Sequence, residues 1–333
     1  MKYGVTIAIK ALNEEKNISR ALESAVSAIG EVAGEVVLSD SGSVDATVEI
    51  AMQWPVRIVQ LRNPSDKCCG AGAQLAFQAA QYKYLYLMDA DMVVHPKFLR
   101  AGIAYLEQNG SVAGVGGILR EQNTQNNQFK ILAKSLQTHQ DWLPGPVGRL
   151  DGGGLYRMSA IHEVGYFGDR NLHAFEEFDL AARLRSHGWA LCRIAEPSVD
   201  HFGHKAGSYA LLLRRVRSGY SRAAGEVLRG ALGQPHFSIV ASDLTHIRNG
   251  LAVLAWVGTL LVTAAMSVFD VSFLGALVIL AVLPILLLSI RRGSLSLGVY
   301  SLASWLVSAI GMVDGFFRLR VDPRVPLQYT VLK

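Results

Sequence analysis

Tyr84-Leu85-Tyr86-Leu87-Met88-Asp89-Ala90-Asp91 is the stretch on which the reading of the chain turns. Five apolar or aromatic residues run unbroken into two carboxylates, the pattern of a buried strand that ends in a polar turn. Three similar runs precede it. Val5-Thr6-Ile7-Ala8-Ile9, Glu35-Val36-Val37-Leu38 and residues 56–61 are β-rich, and helical periodicity fills the gaps. The helical pattern opens at Asn13-Glu14-Glu15 and runs through Ile18, Leu22, Ala25 and Ile29; two more helices are expected over 44–52 and 70–82. This β-α-β-α-β-α-β succession predicts an α/β domain with a mostly parallel sheet and right-handed crossovers. Ligands of such sheets bind beyond the carboxyl ends of the strands. Asn13 and Glu14, Asp40, and Asp89 with Asp91 all follow strands, so they are expected on one edge.

The chain has 333 residues, half of them hydrophobic, and the apolar excess lies beyond Arg248. Residues 249–269, 271–290 and 295–313 carry no Asp, Glu, Lys, Arg or His, and each is close to the ~20 residues that span hydrocarbon. Three parts are therefore expected: a catalytic domain over 1–205, an amphipathic linker over 206–247 and a membrane domain over 248–333. The formal charge of +5 is concentrated in Arg214, Arg215, Arg217, Arg222 and Arg229, directly before the apolar region. Anionic membrane lipid, not nucleic acid, is the partner such a stretch fits. Three cysteines make neither a disulfide framework nor a zinc pattern, which suits a reducing cytoplasm. The apolar run at residues 5–9, broken by Lys10, is too short for a signal-peptide core.

Paired carboxylates at a strand end suit a hard divalent cation, Mg²⁺ or Mn²⁺, and the twofold alternation of a strand would point both to one side. The bland alternative for Asp89-Ala90-Asp91 is a turn or helix cap. Residues 121–148, rich in Asn, Gln, Pro and Gly, read equally as a mobile loop near the site or a plain surface excursion. Asp151-Gly152-Gly153-Gly154 permits either close approach to a ligand or a tight turn.

Taken in order, these motifs resemble family 2 glycosyltransferases of the GT-A (Rossmann-like) fold, over about residues 3–205. Residues 5–15 look like the first strand and its Asn-Glu turn, Ser39-Asp40-Ser41-Gly42-Ser43 resembles the nucleotide turn, and Asp89-Ala90-Asp91 is similar to the metal motif. The resemblance implies a nucleotide-sugar donor. Glu14 and Asp40, with Asn13 beside them, would contact the base or ribose, Asp89 would sit near the ribose, and Asp91 would coordinate the metal. The chain departs from the pattern at Lys10, Ala11 and Leu12, where Pro, Thr and Tyr are frequent, and at Ser41, where a second Asp is common.

Phe175-Glu176-Glu177-Phe178-Asp179-Leu180 is similar to the segment that carries the general base of inverting members, which places Glu177 in that role. Glu176 and Asp179 remain alternatives, and all three also fit an acidic helix N-terminus. Val199-Asp200-His201-Phe202-Gly203-His204 follows a strand-like run; His201 is a candidate third metal ligand or a structural histidine.

The resulting expectation is an inverting glycosyltransferase, multi-pass in the cytoplasmic (inner) membrane with its catalytic domain in the cytoplasm. It would move sugar to a lipid-linked, polyprenyl-type or other glycan acceptor in extracellular polysaccharide assembly. Two rivals are a glycolipid synthase acting on a diacylglycerol-type or sphingoid acceptor and a non-catalytic membrane scaffold. Whether 295–313 crosses the membrane stays open, although Arg318, Arg320 and Arg324 after it favour two crossings by the positive-inside rule.

Overall fold

The computed structural model of the protein describes residues 1–123, 136, 138–203 and 207–333, so the centre of the expected loop over 121–148, and His204, lie outside the described residues. The chain forms two compact units, one of residues 1–206 together with 320–333 and one of residues 207–319.

In the first unit, strands β1 (Lys2–Ala11), β2 (Gly34–Asp40), β3 (Arg57–Leu61) and β4 (Tyr82–Asp89) alternate with helices α1 (Ile18–Ile29), α2 (Thr47–Met52) and α3 (Cys69–Ala79). β3, β2, β1 and β4 pair in that order, all parallel, as the periodicity predicts. Their inner residues are the core. Ile7, Ile9, Leu38, Ile58, Tyr84 and Tyr86 are fully buried, and Ile18 and Leu22 of α1 and Leu75 of α3 bury the helix faces. At about 25 cal/mol per Å² of apolar surface, burying each such side chain stabilises by about 1.5–3 kcal/mol before the entropy of ordering is counted.

β4 leads through a turn at Ala90 and Asp91 into β5 (Met92–Val94) and α4 (Pro96–Gln108). Beyond β4 the sheet becomes mixed. β8 (Gly154–Arg157) runs antiparallel between β4 and β6 (Val112–Glu121), β9 (Ala190–His201) lies parallel to β6, and the short β5 and β7 (Gly145–Pro146) pair antiparallel with β9. Within Asp151-Gly152-Gly153-Gly154 the chain makes a tight turn: Gly152 and Gly153 have φ of +75° and +95°, and a Cβ on Gly152 would stand 2.2 Å from Leu119 Cδ1. Only glycine takes that backbone without strain.

The last residues return to this sheet. β10 (Tyr329–Val331) pairs antiparallel with β3, Thr330 opposite Gln60, and Leu327 is buried beside Val59 and Leu75.

The second unit is helical. Short helices Ser208–Arg217, Ala223–Ala231 and Phe237–Asp243 precede three that are long and apolar enough to cross a membrane: Thr245–Met266, Phe273–Arg292 and Leu295–Phe317. Trp256 Nε1 donates to Leu280 O at 2.9 Å, which ties the first two long helices side by side as a hairpin.

Candidate active site

Two clusters form at the carboxyl ends of the strands, joined through Asp89-Ala90-Asp91. In the first, Lys10 at the end of β1 places its ammonium 2.7 Å from Glu176 Oε1, 3.0 Å from Asp89 Oδ1 and 3.5 Å from Glu177 Oε1. Parallel pairing explains the meeting, because Lys10 stands in register with Asp89 across β1 and β4. Burial works against the charge on Lys10, but the Asp89, Glu176 and Glu177 carboxylates outweigh it and hold the ammonium well above its usual pKa.

Glu176 and Glu177 open helix Glu176–Ser186, where acids are favoured by the helix dipole. The residue before them, Phe175, has φ +66°, a left-handed conformation that bulky residues avoid. Among the described residues the other non-glycine position with positive φ is Asn13, at +58°. Both flank the site, where backbone strain is concentrated in functional regions.

The three acids of the helix differ in freedom. Asp179 is buried in an ion pair with Arg183, 2.9 Å, and Arg183 also donates to the carbonyls of Tyr166 and Phe167. Glu176 is 5% exposed and held by Lys10. Glu177 keeps 21% of its side chain open, and burial together with the adjacent Glu176 carboxylate pushes it up to about 8 against the pull of Lys10. Arg183 is thus a buried brace of the acidic helix.

In the second cluster His201 lies between two acids. Its Nδ1 is 2.5 Å from Glu121 Oε2 and its Nε2 is 3.4 Å from Asp91 Oδ2. Strand register again accounts for this: His201 pairs with Glu121 on β6 and with Met92 on β5, one residue past Asp91. Burial would lower the imidazole pKa, but hydrogen bonds to Asp91 and Glu121 overcome it and raise it to about 10.

Asp89 and Asp91 do not share partners as strand alternation would have them. β4 ends at Asp89, and Ala90 and Asp91 belong to a turn in which Ala90 N–H donates to Lys10 O at 3.0 Å. The period of two has no hold beyond the last strand residue. Asp89 therefore faces Lys10 and Asp91 faces His201.

On the neighbouring β2 edge, Asp40 is fully buried and accepts from Gly42 N–H (2.8 Å), Ser43 N–H (2.9 Å), Ser43 Oγ–H (2.5 Å) and Gln60 Nε2 (2.9 Å). The carboxylate shapes the turn from within. Asn13 clasps that turn: its N–H donates to Ser43 Oγ and its Oδ1 accepts from Val44 N–H. Glu14 N–H donates to Thr47 Oγ1, and its carboxylate accepts from Asn17. The helix foreseen from Asn13 begins only at Ile18, since Asn13 is in the left-handed region and residues 14–17 form the turn that enters α1.

Two residues of these clusters carried little sequence signal. Glu121 is one acid at a strand end, and only the β6–β9 register reveals its partner. Lys10 was visible only as a departure from the family pattern.

A divalent ion fits this constellation. Mg²⁺ holds ligands octahedrally at about 2.0–2.1 Å, so neighbouring ligand atoms stand roughly 3 Å apart, close to the 3.4 Å between Asp91 Oδ2 and His201 Nε2. Among the described residues no three carboxylate, imidazole or thiol groups form a ready cage. Ions of this kind are commonly held by one or two protein groups with substrate phosphates completing the shell.

Comparison with known proteins agrees with this architecture. Residues 6–165 match the family model described as Glycosyl transferase family 2. A mannosyltransferase from Pyrobaculum calidifontis, solved with GDP-Man and Mn²⁺, superposes with a TM-score of 0.59 at 18% identity, over 93% of this chain and 88% of that one. Glucosyl-3-phosphoglycerate synthase from Mycobacterium tuberculosis, solved with Mn²⁺, UDP-Glc and phosphoglyceric acid, gives 0.51 at 17%, over 69% and 80%. S. aureus TarS 1-349 gives 0.50 at 15%, over 99% and 96%, whereas the chain spans 44% of a longer TarS structure. At these identities the likeness is one of fold. The family match takes in Lys10, Asp40, Asp89, Asp91 and Glu121 and ends before Glu176, Glu177 and His201; it marks residues 6–165 as a family 2 glycosyltransferase region, of enzymes that act on nucleotide sugars, and the mixed α/β sheet is GT-A-like.

Proposed function

We propose that the protein is an inverting glycosyltransferase whose base is Glu177 and whose metal site is centred on Asp91. The observation that carries this reading is the meeting of Glu177 and Asp89 on Lys10 at the carboxyl ends of β1 and β4, where an α/β sheet binds its ligand, with Asp91 and His201 one turn further along the same edge. Asp179 is committed to Arg183 and Glu176 to Lys10, so Glu177 is the acid of that helix best able to take a proton.

In this mechanism Asn13, Glu14 and the turn that Asp40 holds receive the nucleoside, and Asp89 stands beside the ribose and the metal. Asp91 and His201 would hold Mg²⁺ or Mn²⁺, a role that requires His201 as the neutral imidazole. The ion, when bound, neutralises charge on the departing diphosphate. Glu177 Oε accepts the proton of the acceptor hydroxyl while that oxygen forms its bond to the anomeric carbon. The bond to the diphosphate breaks on the opposite face, and the diphosphate leaves with the electron pair. A raised pKa matches Glu177 to a hydroxyl proton better than an ordinary carboxylate would.

The three long apolar helices and the basic stretch before them support an acceptor at an anionic cytoplasmic-membrane surface, on the side where nucleotide sugars are supplied. A polyprenyl-linked glycan of extracellular polysaccharide assembly fits that setting. The test is transfer from a panel of radiolabelled nucleotide sugars to extracted lipid by membranes carrying the protein, with Asp91→Ala as control. Label in a polyprenyl-linked product is expected and should vanish in the variant. Label in a diacylglycerol-type lipid would replace the acceptor with a glycolipid, and equal transfer by Asp91→Ala would overturn the site.

A further inference from the structure

We propose that the chain crosses the bilayer twice, through Thr245–Met266 and Phe273–Arg292, and that the third apolar helix, Leu295–Phe317, lies along the headgroup layer of the leaflet on the catalytic side. By length and composition all three helices could span. Three features of the structure decide otherwise.

The first is parity. The chain leaves the catalytic unit at residue 206 and rejoins it at residue 320. The return is built into the fold: Arg320 pairs with Asp169, Asn171 exchanges hydrogen bonds with Val321 in both directions, Gln78 does the same with Leu327, and β10 completes the sheet edge. One compact unit cannot stand on both sides of a bilayer, so the segment between its two parts crosses an even number of times.

The second is the packing level of the third helix. The Trp256–Leu280 bond sets the register of the hairpin and brings the residues near Gly250 level with those near Ser289, at its basic end. A Cβ on Gly298 would stand 2.2 Å from Ser289 Oγ, and one on Gly250 would stand 2.7 Å from Met312 Cε. Gly298 and Met312 are about 20 Å apart along their helix, at roughly 1.5 Å per residue. Both nevertheless meet the hairpin at nearly the same depth, so the helix runs across the base of the hairpin.

The third is its company. Tyr209 stacks edge-on to Tyr300 at 5.5 Å, a Cβ on Gly311 would stand 2.3 Å from Ser221 O, one on Gly315 would stand 2.2 Å from Arg222 O, and Arg222 pairs with Asp314. The segment bearing Arg214, Arg215, Arg217 and Arg222 therefore accompanies the third helix over most of its length. Driving that pair through hydrocarbon would cost about 2.5–3.5 kcal/mol for each arginine carried to the centre. In the headgroup layer the same arginines meet lipid phosphates, and the exposed stripe of Val299, Ile310, Val313 and Phe317 on the other face meets acyl chains.

Cysteine accessibility in spheroplasts of the full chain tests this, with a membrane-impermeant maleimide applied before and after permeabilisation. Phe269→Cys, Ser294→Cys and Asp322→Cys all fall outside the catalytic clusters. Phe269→Cys should label in intact spheroplasts, whereas Ser294→Cys and Asp322→Cys should add label only after permeabilisation. With Cys68 and Cys69 protected, labelling of Asp322→Cys before permeabilisation would show a third crossing, and protection of Phe269→Cys would show that the hairpin does not cross; either overturns the proposal. The native cysteines Cys68 and Cys69 report separately on the side of the catalytic unit. Their labelling before permeabilisation would contradict the cytoplasmic orientation proposed above while leaving the parity argument standing.

Discussion

Lys10 Nζ lies 2.7 Å from Glu176 Oε1, so an ammonium sits at the centre of the acidic cluster that carries the proposed base. Lys10→Met would leave Glu176, almost fully buried, without its counter-charge. Breaking a buried pair in this way costs about 3–5 kcal/mol. A clear fall in thermal midpoint is expected, together with a shift of the rate profile to higher pH, because Glu177 would lose the cation that opposes its protonation. Unchanged midpoint and profile would show that the ammonium holds nothing in place.

Glu177→Gln should lower kcat by about 10²–10⁴-fold, the range for loss of a general base, while the donor dissociation constant stays within about threefold. Single-turnover kinetics and donor titration separate the two. Should Glu176→Gln abolish turnover and Glu177→Gln spare it, the base has been misassigned.

The same substitution carries a stability signature. In the folded metal-free protein Glu177 titrates at about 8, above the ordinary glutamate value of 4.5, so folding favours its protonated form. That contribution is fully present below pH 4.5 and is lost as pH rises to about 8. Glutamine titrates nowhere in this window. The midpoint of Glu177→Gln relative to the parent should therefore be near zero at pH 4.5 and climb by a few degrees, about 1–3 kcal/mol, by pH 8.5. A flat difference across that range would contradict the raised value.

His201 makes metal binding pH-dependent. Its imidazole, held up to about 10 by Asp91 and Glu121, must lose a proton to bind an ion. Mn²⁺ affinity in the presence of nucleoside diphosphate should rise up to about tenfold per pH unit between 6.5 and 8.5, the limit for one displaced proton. His201→Gln should flatten that slope, and Asp91→Ala should abolish the site. An equal slope in His201→Gln would remove the histidine from the ligand set.

Leu327 offers a test of the returning tail. Its side chain is 3% exposed, and Leu327→Ala should cost about 2–4 kcal/mol as a core truncation would. Chemical unfolding in detergent, followed by tryptophan fluorescence, measures it. A cost below about 0.5 kcal/mol would mean that the tail rests on the unit without being part of it.

The parallel half of the sheet was legible because its strands are continuous apolar runs with helical periodicity between them. The antiparallel half was not. β8 is four residues long, and β6 includes Gly114, Gly116 and Gly117, which weaken the strand signal. Within the site, the strand-end residues were legible one at a time, but their pairing was not. Separate partners for Asp89 and Asp91 follow from where β4 stops, and the boundary of an element is the least readable feature of a sequence. β10, with Tyr329-Thr330-Val331, is too short to announce itself, and its partner lies near the other end of the chain.

That distance orders events during synthesis. Leu327 and its hydrogen-bond partner Gln78 are 249 positions apart, and all three long apolar helices lie between them. Until the tail leaves the ribosome, β3 is an open edge able to pair with another chain. A nascent chain can therefore close its catalytic sheet only after the hairpin has been translated, and one whose tail has been delivered to the wrong side keeps that edge bare. On the two-crossing topology proposed above, the pairing of β10 with β3 thus depends on the tail reaching the side on which the catalytic unit folds.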